Sequence, residues 1–137
     1  MNFRFTAMTT SANTDIMDII EAVWEEKLDA LDIKWSDKSC ACVVMASGGY
    51  PEKYETGKVI SGLDENGQCE GAFVYHAGTK LEDGKFLTAG GRVLGITAYG
   101  DTLKEALDTA YKAVDTISFE KAHYRHDIGK KALSALK

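Results

Sequence analysis

Apolar residues recur at helical spacing in two long segments of the chain. The first stripe predicts a helix over residues 15–28, with Asn13 or Thr14 placed to cap its open amides. Thr102 and Glu105 form a capping box that begins a second helix, whose apolar face extends over four turns. A short helical end is predicted over residues 129–136. The stripe members are Ile16, Ile19, Ile20, Val23 and Leu28 in the first helix, and Leu103, Ala106, Leu107, Ala110, Tyr111, Val114 and Ile117 in the second.

Between these helices, short apolar or alternating runs predict strands. Residues 40–46 predict a buried strand, which ends where glycines and a proline interrupt any regular element. Two alternating segments, residues 58–63 and 70–75, flank a polar turn and predict a hairpin. A second hairpin is predicted around Asp83 and Gly84, because this pair accepts the positive φ of a type I′ turn.

The predicted strands cluster between the helices instead of alternating with them. A double glycine leads into a final strand over residues 92–98, so residues 50–99 predict a largely antiparallel meander. This order favours an α+β fold over a parallel α/β sheet. We therefore expect a largely antiparallel β meander, or hybrid-type sheet, flanked by two main helices and a short C-terminal helix.

Composition and charge narrow the classes of partner. The 137 residues and their ordinary apolar content predict one domain with its own core. A net charge of -5, with no Lys/Arg run longer than a pair, argues against nucleic acid, because phosphate backbones require clustered positive charge. The sequence has neither a membrane-length apolar window nor an apolar leader behind a basic start, so we expect no membrane partner and a cytoplasmic protein.

The cysteines are interpreted as structural. Cys40 and Cys42 lie two apart in the predicted strand and therefore face one side, while Cys69 stands alone. A zinc site would need further ligands at regular spacing, and the three histidines show no such pairing with the cysteines. Free cysteine is most often a buried small apolar residue.

No short sequence motif identifies a reaction, because the P-loop, dinucleotide-binding, zinc-protease and nucleophile-elbow patterns are absent. The remaining candidates are glycine-bearing loops at strand ends. Ser47, Gly48 and Gly49, followed by Tyr50, can present backbone amides to an anion. The alternative is that these glycines serve only the turn.

A second loop combines backbone access with positive charge. Gly90 and Gly91 allow a ligand to approach the main chain, and the Arg92 guanidinium can hold an anion through two hydrogen bonds. Pairing of Arg92 with a surface carboxylate is the alternative.

A third loop carries an imidazole. His76 stands ahead of Gly78 and Thr79, where it can contact a phosphate or satisfy a loop carbonyl, and the structural role is favoured. In the C-terminal tail, Arg125 and Asp127 are interpreted as an ion pair, because the nearby histidines lack the spacing of metal ligands.

Four segments carry a family resemblance when taken together. They are VMASGGYP (residues 44–51), YHAGT (75–79), GK followed by GGRVLGIT (84–85 and 90–97) and HYRHDIG (123–129). In order and spacing they resemble the C-terminal domain of phosphoribosylamine–glycine ligase, also called glycinamide ribonucleotide synthetase. Members of that family join glycine to 5-phosphoribosylamine with ATP, through a glycyl-phosphate intermediate, in an ATP-grasp architecture that uses magnesium or manganese.

The resemblance implies a parent ligase whose remaining ATP-grasp lobes pack against this domain, and whose substrates are glycine, 5-phosphoribosylamine and ATP. It implies no catalytic residue in this chain, and neither ATP nor Mg²⁺ or Mn²⁺ is expected to bind the chain tightly. It places the three loops near the substrate side of the cleft. Because each loop lies at a strand end beside a short turn, we also expect the three loops to converge on one side of the sheet. The candidate substrate-binding residues are Ser47, Gly48, Gly49, Tyr50, His76, Gly78, Thr79, Gly90, Gly91 and Arg92.

The N-terminal residues resemble the last piece of the ATP-grasp lobe. We interpret residues 1–13 as a remnant of that lobe or a linker, and residues 14–137 as the C-terminal domain. By resemblance, Asn2 is a metal ligand whose partner glutamate would precede the chain, and Arg4 is a remnant of the ATP-grasp site.

Two functions from different classes follow. The first is the C-terminal domain of an ATP-dependent carbon–nitrogen ligase of purine synthesis, folded but inactive alone. The alternative is a non-catalytic binding or assembly module that keeps the scaffold, which residues 6–13 favour because they depart from the family pattern.

Overall fold

A computed structural model describes residues 12–135. The helices are α1 (Ile16–Trp24), α2 (Leu103–Thr116) and α3 (Lys130–Ala135). A 3₁₀ turn at Leu28–Ala30 follows α1. The strands are β1 (Ser39–Ala46), β2 (Phe73–His76), β3 (Thr79–Glu82), β4 (Lys85–Thr88) and β5 (Arg92–Gly100).

The antiparallel α+β class is confirmed, but the strand order is not that of a meander. β5 lies at the centre of a three-stranded sheet in the order β1–β5–β2, so the first strand pairs with the last. β5 is buried along most of its length, as expected of a strand with neighbours on both sides. The β3–β4 hairpin is separate and turns at Asp83 and Gly84, whose φ angles are 49° and 71°. The predicted hairpin at this Asp-Gly pair is therefore confirmed.

The core lies between the sheet and α2. The capping box is confirmed, since the Thr102 hydroxyl accepts from the Glu105 amide at 3.2 Å and the Glu105 carboxylate accepts from the Thr102 amide at 3.3 Å. The apolar face of α2 packs across β1 and β5. Its fully buried residues are Ala106, Leu107, Ala110, Ala113 and Val114.

The predicted hairpin of residues 58–63 and 70–75 is wrong. Its turn does form, with the Asp64 amide donating to the Gln68 carbonyl at 2.8 Å. The Gln68 side chain then exchanges two hydrogen bonds with the backbone of Val74, at 2.9 and 3.0 Å, and so occupies a free edge of β2. Ser61 instead pairs with Ser118 beyond α2, a contact between distant parts of the chain that local alternation does not encode.

The first helix is shorter than predicted and has a different cap. Asp15 caps α1 by accepting from the Met17 amide at 2.8 Å, whereas the Thr14 hydroxyl accepts from the Lys34 amide at 2.7 Å. No residue of α1 is buried, although its apolar stripe is as clear as that of α2. Unlike α2, α1 therefore contributes no buried residue to the core.

The cysteines behave as expected for structural residues. Cys40, Cys42 and Cys69 are free and half-buried. Burial raises the pKa of each thiol above its usual value, which disfavours the reactive thiolate. In the part of the chain that the structure describes, no helix has the length and apolar character needed to cross a membrane.

Candidate functional site

The three glycine-bearing loops meet at one end of the sheet, as predicted. Ser47 joins the first loop to the third, because its amide donates to the Gly91 carbonyl at 2.8 Å and its hydroxyl donates to the Gly90 carbonyl at 2.9 Å. Ser47 is only 2% exposed. Its side chain therefore holds two loops together, and a contact with ligand stays a prediction.

Close packing accounts for two of the glycines. A Cβ atom at Gly78 would lie 2.6 Å from the Arg92 carbonyl oxygen and 2.8 Å from the Gly90 Cα. A Cβ atom at Gly91 would lie 2.2 Å from the Tyr50 ring. Neither distance is compatible with an ordinary side chain, so these positions must be glycine for the loops to touch.

His76 fastens the second loop to its surroundings. Its Nε2 lies 2.8 Å from the Gly67 carbonyl oxygen and its Nδ1 lies 2.9 Å from the Thr79 hydroxyl. Because a carbonyl can only accept, Nε2 donates to Gly67, while Nδ1 and the Thr79 hydroxyl share a second hydrogen bond. The His76 ring also lies against Phe86, with centroids 5.0 Å apart. Both nitrogens of the imidazole are thus engaged, and His76 contacts a loop carbonyl as in the structural alternative.

Gly48 and Gly49, in the first loop, lie beside a cavity of their own. They line a cavity of about 340 Å³ together with Lys53, Tyr54, Glu55 and Lys121. A Cβ atom at Gly48 would lie 2.5 Å from the Lys121 Cβ, and Gly49 has a φ of 92°. Packing and turn geometry therefore explain both glycines, and their predicted contact with an anion stays a prediction.

Ion pairs around this second cavity balance its charge. Lys58 bridges Glu55 at 3.0 Å and Glu120 at 2.9 Å, so it ties the loop before β2 to the segment after α2. Lys121 lies 3.9 Å from both carboxylates. Since positive and negative groups alternate here, the cavity has no clear preference for an anion.

Tyr50 and Arg92 line a different cavity, which we call the Arg92 cavity, with a volume of about 320 Å³. Its apolar wall consists of Val44, Ala46 and Ile128. Its polar and aromatic wall consists of Tyr50, Arg92, His123, Tyr124 and Arg125.

The far wall of the Arg92 cavity is held in place by hydrogen bonds. The backbone of His123 pairs with Ala46, at 3.0 and 2.9 Å, and so extends the sheet beyond β1. The predicted ion pair is confirmed, since Arg125 donates to Asp127 through Nε at 2.8 Å and Nη2 at 2.7 Å. These hydrogen bonds hold the pKa of the Asp127 carboxyl below its usual value.

The polar residues of this far wall were missed as a site by sequence reasoning. The signal was present in the HYRHD segment, which concentrates two imidazoles, a phenol and a guanidinium within five residues. What the sequence alone did not provide was the pairing of His123 with Ala46, which brings the segment beside Arg92.

The predicted metal and ATP-grasp residues cannot be placed, because Asn2 and Arg4 lie outside the described residues. Within residues 12–135, no three His, Cys, Asp or Glu side chains are grouped to hold a metal ion.

Comparisons with known proteins agree on one family. The family model described as "Phosphoribosylglycinamide synthetase, C domain" matches residues 40–131. A phosphoribosylamine–glycine ligase from Caldanaerobacter subterraneus is 52% identical over 115 residues, covering 84% of this chain and 27% of the relative. One from Chlorobaculum tepidum is 48% identical over 120 residues, covering 88% and 28%.

A solved structure shows the same fold. The crystal structure of phosphoribosylamine–glycine ligase from Thermotoga maritima has a TM-score of 0.64 and 33% identity, and the match covers 80% of this chain and 27% of that one. The chain thus spans about a quarter of the length of the ligases that it matches. The chain belongs to the phosphoribosylglycinamide synthetase C-domain family.

Proposed function

We propose that this chain is the C-terminal domain of an ATP-dependent ligase that joins glycine to 5-phosphoribosylamine. The match of the C-domain model to residues 40–131 carries this proposal. The relatives at 52% and 48% identity are named for the same ligase, which supports the assignment of reaction class. We place the protein in the cytoplasm as part of the same proposal.

The domain's part in the reaction is to bind and position substrate. The Arg92 cavity offers guanidinium and phenol donors next to an apolar wall, a combination that suits a small anionic substrate. Ser47, Gly78 and Gly91 set the shape of this region, because they allow the three loops to contact one another. Positioning of this kind contributes to ligation by holding the reacting groups in one orientation.

ATP and its metal are assigned to the rest of the ligase. Acyl-phosphate formation requires metal-neutralised phosphates held in line with the carboxylate of glycine. The described residues supply no grouped metal ligands for this task. We therefore propose that Mg²⁺ or Mn²⁺ and ATP bind to ATP-grasp lobes, and that this chain alone forms no product.

Those lobes are also the proposed partner of α1. Trp24 is 88% exposed, Met17 64% and Ile20 53%, so α1 presents a largely uncovered apolar stripe. A face of this kind marks a protein contact surface. Its proposed occupant is the remaining part of the ligase, because the matched relatives are almost four times as long as their matched segment.

A chimera tests the proposal. This chain would replace the matching segment of the Caldanaerobacter subterraneus ligase, and product formation would be measured with glycine, ATP and phosphoribosylamine. We expect an active chimera and an inactive isolated chain. A folded but inactive chimera would favour the non-catalytic binding or assembly module, and turnover by the isolated chain would contradict the fragment assignment.

Arg92→Ala in this chimera sharpens the test. We expect a loss of kcat/KM corresponding to about 1.5–3 kcal/mol, the usual contribution of a charged hydrogen bond, with little change in thermal stability. Lys112→Ala, on the exposed side of α2, is the matched control and should leave kcat/KM unchanged. Unchanged kinetics with a large loss of stability would instead make Arg92 a structural residue.

A further inference from the structure

We propose that Tyr111 and Asp115, one turn apart on α2, are positioning residues that hold the 123–128 segment in place as a wall of the Arg92 cavity and so set the affinity of that cavity for its substrate. The inference rests on the proposed function, because it concerns the same region of the ligase. The eight described residues that line the cavity include neither of the two. From the sequence, Tyr111 was expected only in the apolar stripe of α2.

The 123–128 segment provides half of the cavity lining but little regular structure. Residues 124–128 belong to neither a helix nor a strand. The backbone hydrogen bonds to Ala46 fix only the first residue of the segment. The later lining residues therefore depend on other contacts for their position. The lining residues of the segment are His123, Tyr124, Arg125 and Ile128.

Tyr111 supplies two of these contacts through one hydroxyl. It donates to the Arg125 carbonyl at 2.7 Å and accepts from the Ile128 amide at 3.3 Å. The Tyr111 ring is half-buried and packs against both core clusters, so the hydroxyl extends from a fixed support. Phenylalanine at this position would keep the ring packing and remove only the two hydrogen bonds.

Asp115 supplies a third contact from the next turn of α2. Its Oδ1 accepts from the Tyr124 hydroxyl at 3.0 Å. Asp115 lies in the last turn of α2, which contains no basic residue. Negative charge at the C-terminal end of a helix is unfavourable, because the helix dipole is negative there. The carboxylate therefore does not favour the helix, but it does hold Tyr124.

The two contacts should act on substrate affinity and not on the reacting groups. A wall that is already held in place loses little further freedom when a ligand binds. A released wall must be ordered in each binding event, which weakens binding of ground state and transition state alike. Such a loss raises KM and leaves kcat nearly unchanged.

Tyr111→Phe in the active chimera is the first test. Loss of the hydroxyl should raise one KM by about threefold to tenfold, as expected for ordinary hydrogen bonds, while kcat changes little. The affected substrate should be the one whose KM rises in Arg92→Ala, because both residues act on the same cavity. The KM values of the other two substrates should be unchanged.

Asp115→Ala is the second test, at an exposed position where the variant is expected to fold. It should raise the same KM without lowering the melting temperature, because it also removes a negative charge from the end of α2. Asp115→Asn keeps an oxygen that can accept from Tyr124 and should restore the KM. A residue that served stability alone would lower the melting temperature without selecting one substrate.

Thr116→Val is the matched control. Its hydroxyl lies in the same turn of α2 and donates to the Ala113 carbonyl at 2.8 Å, away from the 123–128 segment. The control should leave every KM unchanged. The inference is overturned if Tyr111→Phe or Asp115→Ala leaves the KM unchanged, if Thr116→Val raises it equally, or if all three KM values rise together with a fall in kcat.

Hydrogen exchange of the isolated chain separates this inference from the proposed function. In Tyr111→Phe the Ile128 amide should lose protection, whereas the His123 amide, which donates to the Ala46 carbonyl at 3.0 Å, serves as the protected reference. Unaltered protection of Ile128 would overturn the inference. An active chimera that is insensitive to Tyr111→Phe would reject the inference and keep the ligase assignment. An inactive chimera would reject the ligase assignment, and exchange at Ile128 would then decide whether Tyr111 holds the segment.

Discussion

The two longest helices carry similar apolar stripes but have opposite surroundings. α2 buries five residues against β1 and β5, and it begins at a complete capping box. α1 has its own side-chain cap at Asp15, yet none of its residues is buried. Neither core cluster of the described chain contains an α1 residue.

The difference shows what an amphipathic pattern encodes. The spacing of apolar residues indicates that a helix has an apolar face, but it does not indicate which part of the protein covers that face. α2 finds its partner within the domain, where the sheet accepts it. For α1 the proposed partner is the rest of the ligase, and substitutions on the two helices should therefore have different effects.

The largest expected effect is that of Leu107→Ala on α2. Leu107 is 4% exposed and packs with Ala41 and Ala106. Removal of its side chain leaves a cavity, and we expect the free energy of unfolding to fall by about 2–5 kcal/mol. Urea denaturation of the isolated chain measures this. A loss below about 1 kcal/mol would mean that α2 is not the centre of the core.

An intermediate effect is expected from the helix caps. Thr102→Ala removes the side chain that accepts from the Glu105 amide, and a lost cap costs about 0.5–2 kcal/mol. Asp15→Ala is the matched variant on α1. It should reduce helix content by circular dichroism while leaving the urea midpoint of the domain unchanged. Equal shifts of the midpoint would show that both helices belong to one cooperative unit.

The smallest effect is expected from Ile20→Ala on α1. Ile20 is 53% exposed, and a surface substitution usually changes stability by less than about 0.5 kcal/mol. In the active chimera the same substitution should be more costly, because the lobes would cover this face. Differential scanning calorimetry of both proteins compares the two. A large loss in the isolated chain would contradict the exposed position of α1.

Local signals predicted part of the fold correctly. The Thr102–Glu105 capping box and the Asp83–Gly84 turn each depend on residues within one helical turn or one hairpin, so their sequences determine them. The prediction that residues 58–63 pair with residues 70–75 was wrong. Ser61 pairs with Ser118 instead, and the Gln68 side chain makes the two backbone hydrogen bonds of Val74 that a neighbouring strand would make. Contacts of that kind depend on tertiary packing.

The candidate site shows the same division. Glycines at strand ends predicted that the three loops would meet, and the close approaches at Gly78 and Gly91 confirm it. The sequence did not reveal that His123 pairs with Ala46 and brings Arg125 beside the Arg92 cavity. Its HYRHD segment was therefore interpreted only as an ion pair.

Hydrogen exchange of α1 tests most directly the claim that this helix is the domain's contact with the rest of the ligase. In the isolated chain, we expect the amides of α1 to exchange quickly and those of α2 slowly, because only α2 is packed into the core. In the chimera, α1 should become protected while α2 changes little. Strong protection of α1 in the isolated chain, or rapid exchange of α1 in the chimera, would contradict the claim.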